Sequence, residues 1–104
     1  MHSGKFRFEA TPLFGMELEQ ALNYIETQLS NPAAVDKLQT DVETAVRERL
    51  SAPTSFEPVI SRVDREHPYY RIYFGNYIVF YCVIGNVMEL RRFVYKGRNW
   101  KIQI

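Results

Sequence analysis

Cysteine is almost absent from this chain, since Cys82 is the only one among 104 residues. A single cysteine can form no disulfide within the chain and supplies no cysteine metal cluster. No apolar run reaches the 18 or so residues of a membrane span, and the N-terminus lacks the apolar centre of a secretory signal. We therefore expect a protein of the reducing cytoplasm with no cofactor, no metal and no membrane partner.

A strong net charge is also missing, because 13 Lys and Arg nearly balance 12 Asp and Glu. The net charge of +1 argues against a uniformly basic nucleic-acid-binding protein. The average hides a split, however. Residues 1–52 carry five basic and eight acidic side chains, whereas residues 53–104 carry eight basic and four acidic. Two interpretations stay open at this point: chance variation in a small protein, or a second half that faces an anion.

Hydrophobic residues make up 46% of the chain and aromatic residues 14%. This aromatic content is too high for a disordered chain, and the length suits one modest hydrophobic core. We therefore expect residues 1–104 to form a single domain.

The first half of the chain predicts a strand followed by two helices. Residues 5–10 alternate polar and apolar side chains, which is the period of a strand. Thr11 and Pro12 have the order of a helix N-cap and a first helical residue, and Asn31 and Pro32 repeat that order. Apolar residues follow each pair at helical spacing, so the sequence predicts an antiparallel helical hairpin.

The second half predicts a loop over residues 53–68 and then a three-stranded antiparallel meander. The strands are rich in aromatic and β-branched residues and cover Tyr69–Phe74, Tyr77–Ile84 and Val87–Lys96. Gly75-Asn76 and Gly85-Asn86 separate them and suit two-residue hairpin turns. These turns place Phe74 opposite Tyr77 and Ile84 opposite Val87. The expected fold class is thus α+β.

This register divides the side chains of the meander between two faces. We expect one face to lie under the helices, with Ile72, Phe74, Val79, Tyr81, Val83, Met88, Leu90 and Val94. The other face is expected to be a half-open binding surface, with Arg71, Tyr73, Ile78, Phe80, Cys82, Glu89, Arg91, Phe93 and Tyr95. Arg92 falls on the helix side, at the rim or paired with a helix carboxylate.

Three stretches of the sequence are residues 31–34 (NPAA), 67–81 (HPYYRIYFGNYIVFY) and 90–100 (LRRFVYKGRNW). In this order and spacing, they resemble the RelE/ParE superfamily of toxins from bacterial type II toxin–antitoxin modules, which includes plasmid stabilisation proteins. The resemblance covers about residues 5–102. It implies the RelE/ParE-like toxin fold and a cytoplasmic toxin held inactive by a cognate antitoxin.

The resemblance leaves the target open between two branches. RelE-like members cut mRNA on the ribosome without a metal, so the partners would be the ribosome and mRNA. ParE-like members inhibit DNA gyrase and are not nucleases. The shared fold does not decide between these activities. The aromatic and basic side chains of the expected open face and the run of Tyr95, Lys96 and Arg98 favour RNA, so we expect an mRNA endonuclease, with gyrase inhibition and a non-toxic binding protein as the alternatives.

For the nuclease, the resemblance implies a catalytic set of Tyr95, Arg98 and Arg71. Cleavage needs a base, an acid and cations around one phosphate. The residues expected to bind RNA or phosphate are Lys96, Arg91, Tyr73 and Arg62. His67 is a possible base and otherwise a surface residue.

Departures from the RelE pattern weaken the nuclease interpretation. Ile78 stands where RelE-like enzymes carry an arginine, Tyr73 replaces a lysine, and only Trp100 lies near the position of their terminal tyrosine. Loss of one phosphate-neutralising charge costs on the order of 10²–10³ in rate. Arg71 and Arg91 also have a simpler interpretation as solvated strand residues, and Cys82 as a buried, inert thiol.

Overall fold

The computed structural model describes residues 6–60 and 65–97. Two helices and four strands follow one another in the order β1 (Arg7–Ala10), α1 (Pro12–Gln28), α2 (Pro32–Arg49), β2 (Tyr70–Phe74), β3 (Tyr77–Ile84) and β4 (Val87–Tyr95). The predicted α+β class and the two helices are confirmed. No helix in the described part of the chain is long and apolar enough to cross a membrane.

Local chemistry accounts for both helix starts. The Thr11 hydroxyl accepts a hydrogen bond from the Phe14 amide at 3.2 Å, and the Asn31 side chain accepts one from the Ala34 amide at 3.2 Å. Each cap accepts from an amide in the first turn of its helix, where amides lack the usual carbonyl partner four residues earlier, and the proline after the cap has no amide hydrogen. The predicted caps are therefore confirmed.

The sheet has four strands, in the order β1-β4-β3-β2, and it is mixed. The expected sheet was a three-stranded meander, and this count was wrong because β1 pairs in parallel with β4, from Arg7 opposite Val87 to Ala10 opposite Leu90. The helical hairpin, β2 and β3 all lie between β1 and β4 in the chain and together form the long connection that a parallel pair requires. Within β2–β4 the strands are antiparallel.

Both predicted hairpin turns are confirmed. Phe74 lies opposite Tyr77, and Ile84 lies opposite Val87. Gly75 and Gly85 have φ values of 53° and 61°, which glycine adopts without steric cost.

A β-bulge in β4 changes the face of the sheet on which the side chains at the end of this strand lie. Tyr81 pairs with Leu90 and Phe80 pairs with Arg92, so Arg91 is the extra residue. One added residue moves every later side chain to the opposite face. Phe93 accordingly packs in the core under the helices and Val94 in a core on the other side. The faces predicted for Arg92, Phe93, Val94 and Tyr95 were wrong for this reason.

The sheet thus has a helix face and a far face, and both contain buried residues. The helix face packs on α1 and α2 through Phe14, Ile25, Leu38, Val42, Val46, Tyr70, Ile72, Val79, Tyr81, Met88, Leu90 and Phe93. The far face holds a smaller cluster of Val59, Tyr69, Ile78, Phe80, Cys82 and Val94. Ile78 and Phe80 are 0% exposed, so the centre of the far face is not the half-open surface that the sequence predicts.

Beyond Leu90 the outer edge of β4 is covered by α1 instead of by a strand. The chain leaves the sheet at Thr11, whose amide donates to the Leu90 carbonyl at 3.0 Å. The Glu17 carboxylate then accepts the Phe93 amide hydrogen at 2.9 Å and pairs with Arg92 at 2.8 Å. The expected pairing of Arg92 with a helix carboxylate is confirmed.

Candidate functional site

Arginine and tyrosine side chains form a patch at the border of the far face. We define this arginine–tyrosine patch as Arg65, Tyr69, Arg71, Tyr73 and Arg91. Tyr69, Arg71 and Tyr73 alternate along β2 and its approach, so they share one face. The guanidinium carbons of Arg65 and Arg91 lie 4.2 and 5.8 Å from the Tyr69 ring centroid. The guanidinium of Arg71 lies 5.7 Å from the Tyr73 ring.

The patch contains three guanidinium groups, those of Arg65, Arg71 and Arg91. The guanidinium of Arg91 forms a hydrogen-bonded ion pair with Glu89. The Glu89 hydrogen bond raises the pKa of Arg91, so this side chain stays charged at any physiological pH. Guanidinium groups and phenol rings at these distances suit an anion with flat groups, such as a nucleotide, or an acidic peptide segment.

A second feature, the tyrosine cleft, lies between α1 and the ends of β3 and β4. We define it by Tyr24, Tyr77 and Tyr95, which line a cavity of about 550 Å³ together with Glu17 and Gln20. The Tyr77 and Tyr95 rings meet edge to face, with centroids 6.0 Å apart and planes 76° apart.

Phe93 packs against one of these rings. Tyr77 stacks on Phe93 at 4.9 Å, which fixes the plane of its ring. Burial raises the pKa of Tyr77, and the neighbouring phenols of Tyr95 and Tyr24 raise it further. The Tyr77 hydroxyl is therefore harder to ionise than an exposed phenol.

The sheet separates the residues expected to act together in RNA cleavage. Tyr95 pairs with Tyr77 at the end of β4 and belongs to the helix face. Arg71 pairs with Phe80 and belongs to the far face. Successive side chains of a strand point to opposite faces, so these two groups lie on opposite sides of the sheet.

The other expected site residues are scattered. Tyr73 and Arg91 lie in the arginine–tyrosine patch with Arg71. Lys96 is exposed just after β4, and its amide donates to the Asn76 carbonyl at 2.7 Å.

His67 lies in the loop before β2, with its Nε2 atom 3.9 Å from the Glu66 carboxylate. Arg62, Arg98 and Trp100 lie outside the described residues.

Three residues that matter here escaped the sequence analysis. Tyr24 has no pattern that distinguishes it from other helix residues. Arg65 lies in the loop predicted over residues 53–68 and was not among the residues expected to bind RNA or phosphate. Arg49 ends α2 and donates to the Tyr81 hydroxyl at 2.9 Å and to the Arg71 carbonyl at 3.2 Å.

The Arg49–Tyr81 contact is structural. The Tyr81 hydroxyl donates to the Pro53 carbonyl at 2.6 Å, and the Arg49 guanidinium lies 3.6 Å from the Phe56 ring centroid. Burial raises the pKa of Tyr81 although Arg49 opposes that shift. The group therefore holds the end of α2 and the following loop against β2 and β3.

The described residues do not favour metal binding or thiol chemistry. No three His, Cys, Asp or Glu side chains there come together as metal ligands. Burial raises the pKa of the Cys82 thiol, which keeps it protonated and unreactive, as expected from the sequence.

Comparison with models of protein families found no match to this chain, and neither did comparison with curated proteins. The chemistry of the patch and the cleft is therefore the basis for a functional proposal.

Proposed function

We propose that this chain is the toxin of a bacterial type II toxin–antitoxin module with a RelE/ParE-like fold, and that it inhibits DNA gyrase instead of cutting mRNA. The family part of the proposal is supported by the resemblance of residues 31–34, 67–81 and 90–100. The α+β plan, with one strand, a helical hairpin and an antiparallel β2–β4, is compatible with it. The choice of target is supported by the separation of Tyr95 from Arg71.

Metal-independent cleavage of RNA needs its groups around one phosphate. A general base or acid acts within hydrogen-bond reach of its proton, at about 3 Å. Tyr95 and Arg71 lie on opposite faces of the sheet and do not meet this condition together. His67 is on neither strand and lies beside Glu66.

Burial of Ile78 supports the same choice. RelE-like enzymes carry an arginine at this position, where it would face RNA. Here the side chain is 0% exposed and packs with Val59, Tyr69 and Phe80. Because the position belongs to a core, the far face offers no open phosphate site at the centre of β3.

The nuclease remains the second candidate, favoured by the arginine–tyrosine patch. Two guanidinium groups around the Tyr69 ring, and a third beside Tyr73, combine positive charge with flat stacking surfaces. This combination is typical of single-stranded RNA binding. Under the gyrase proposal, the same patch would bind an acidic segment of the antitoxin.

Induced expression in a bacterial host separates these functions. We expect growth arrest, DNA breaks and an SOS response with intact mRNA by primer extension, and purified chain should inhibit supercoiling by purified gyrase. Co-expression of the antitoxin encoded beside the toxin should restore growth. Exposed Glu19 provides a control, since Glu19→Ala should keep full toxicity.

Two results would contradict the proposal. Ribosome-dependent cuts in mRNA, lost in Arg98→Ala and Tyr95→Phe, would establish the nuclease instead. Harmless expression of a folded, soluble chain without its antitoxin would remove the toxin function altogether.

A further inference from the structure

We propose that the outer edge of β1 pairs with β1 of a second copy of this chain, in an antiparallel register centred on Phe8. This inference does not rest on the toxin function, since it follows from the sheet topology and from the charges along the strand. Its basis is an edge strand whose outer backbone groups point out of the sheet and whose order of charges complements itself.

The outer edge of β1 faces away from the rest of the sheet. β1 is a terminal strand, so only its inner edge pairs with β4. The Arg7 amide points inward, because it donates to the Asn86 carbonyl at 3.0 Å. Backbone groups alternate in direction along a strand, so the amides of Phe8 and Ala10 point outward. Such an edge is a template for pairing with another strand.

β2, the terminal strand on the other side of the sheet, is less open. The Arg49 guanidinium donates to the Arg71 carbonyl at 3.2 Å, and the Val59 amide donates to the Tyr69 carbonyl at 2.7 Å. These two contacts occupy part of the outer edge of β2. Among the described residues, no comparable contact is made to the outer edge of β1. Of the two sheet edges, β1 is therefore the better site for strand pairing.

The side chains of β1 divide between the two faces of the sheet. Phe8 packs against the core of the helix face, and the Arg47 guanidinium lies 5.4 Å from its ring. Arg7 and Glu9 consequently lie on the far face, and their side chains are 59% and 54% exposed. Glu9 lies opposite Glu89 of β4, so two carboxylates are neighbours there. A cation on the open side of Glu9 would offset their repulsion.

The order of charges selects the occupant. In an antiparallel pair centred on Phe8, Arg7 of each copy lies directly opposite Glu9 of the other, and such pairs stabilise a sheet. The ion pair between Arg7 and Glu9 within one strand is exposed and therefore weak, so it leaves both groups able to bind a second partner. A parallel pairing in register would place arginine beside arginine. The half-buried Phe8 rings of the two copies would meet on the helix face.

The length of the strand limits the affinity. Because β1 has only four residues, the interface is small, and we expect a reversible dimer with a dissociation constant on the order of 10⁻⁵–10⁻⁴ M.

Sedimentation equilibrium of the full chain, from about 5 to about 500 µM, tests the proposal. Arg7→Glu and Glu9→Arg should each weaken self-association about tenfold, because each places like charges opposite one another twice. An equimolar mixture of the two variants should dimerise again, since opposite charges then meet at both positions. The double variant should also dimerise alone.

Two kinds of variant serve as controls for charge and for backbone pairing. Lys37→Glu and Glu19→Arg change the net charge by the same amounts at exposed helix positions, and each should dimerise like the unmodified chain. Ala10→Pro removes an amide that points outward, so it should leave the monomer folded by circular dichroism and abolish dimerisation.

Three outcomes would overturn the proposal. A chain that stays monomeric over the whole concentration range does not pair through β1. A mixture of Arg7→Glu and Glu9→Arg that associates no more tightly than either variant alone would rule out this register. Dimerisation that persists in folded Ala10→Pro would place the interface elsewhere on the molecule.

Discussion

Replacement of Glu17 by alanine should be among the most destabilising changes at a charged residue of this protein. Its carboxylate holds Arg92 through both oxygens, at 2.8–3.1 Å, and accepts the Phe93 amide hydrogen at 2.9 Å. The side chains of Glu17 and Arg92 are only 11% and 16% exposed. Water therefore replaces the lost carboxylate poorly.

The magnitude follows from the two groups left behind. Breaking a fully buried ion pair by removal of one partner costs about 3–5 kcal/mol, and this pair, being slightly exposed, should fall near the low end. The Phe93 amide adds about 1 kcal/mol or more if no water reaches it. We expect Glu17→Ala to lower the free energy of unfolding by about 3 kcal/mol and the melting temperature by roughly 10–20 °C.

Chemical denaturation with a double-mutant cycle tests this reasoning. Glu17→Ala and Arg92→Ala should show a coupling free energy of about 1–3 kcal/mol, because each single variant already removes the shared contact. Glu19→Ala, on the exposed side of the same helix, controls for the loss of helical charge and should change stability by less than about 0.5 kcal/mol. A cost for Glu17→Ala no larger than that for Glu19→Ala would refute the argument, as would a coupling near zero.

Further predictions concern other parts of the fold. Tyr81→Phe removes a buried hydroxyl that donates to a backbone carbonyl, and it should cost about 1–2 kcal/mol in urea denaturation, whereas exposed Tyr73→Phe should cost almost nothing. Because burial raises the pKa of the Cys82 thiol, a disulfide reagent at pH 8 should label Cys82 slowly in the native chain and rapidly in urea; equal rates would place the thiol at the surface. Gly97→Ala would bring a methyl group within 2.5 Å of the Tyr95 ring, so the ring must turn, and its NMR resonances should shift without a large loss of stability.

The helices and turns were predictable because their signals are local. Thr11 and Asn31 cap helices through amides three residues away, and Gly75 and Gly85 relieve steric strain at their own positions. These interactions involve residues close together in sequence, so the sequence pattern is enough to predict them.

Local signals of this kind did not predict on which face of the sheet the side chains at the end of β4 lie. Arg91 is the extra residue of a bulge, and nothing in the run Leu90–Phe93 distinguishes a bulged strand from a regular one. The bulge forms where β1 has ended and α1 contacts the strand, so Glu17 can reach Arg92 and the Phe93 amide. Glu17, which contacts the bulged segment, lies some 75 residues away in sequence, and the bulge places Tyr95 on the face of the sheet opposite Arg71.

The two halves of the charge split have acquired different surroundings. Glu17 of α1 lines the tyrosine cleft, whereas Arg65, Arg71 and Arg91 border the far face. Counting charges predicts an acidic helical half and a basic sheet half, but it does not predict that each half borders its own set of tyrosines.

The sequence by itself determined the α+β class, both helix starts and both hairpin turns, because short-range hydrogen bonds and backbone sterics decide them. Tertiary structure alone decided that β1 joins β4 in parallel, that a bulge reverses the end of β4, and that Ile78 and Phe80 are buried on the far face. These features depend on contacts between residues distant along the chain, whose free energies are set by packing and not by local pattern. Because the position of Tyr95 depends on these features, the tertiary structure also determined the candidate sites.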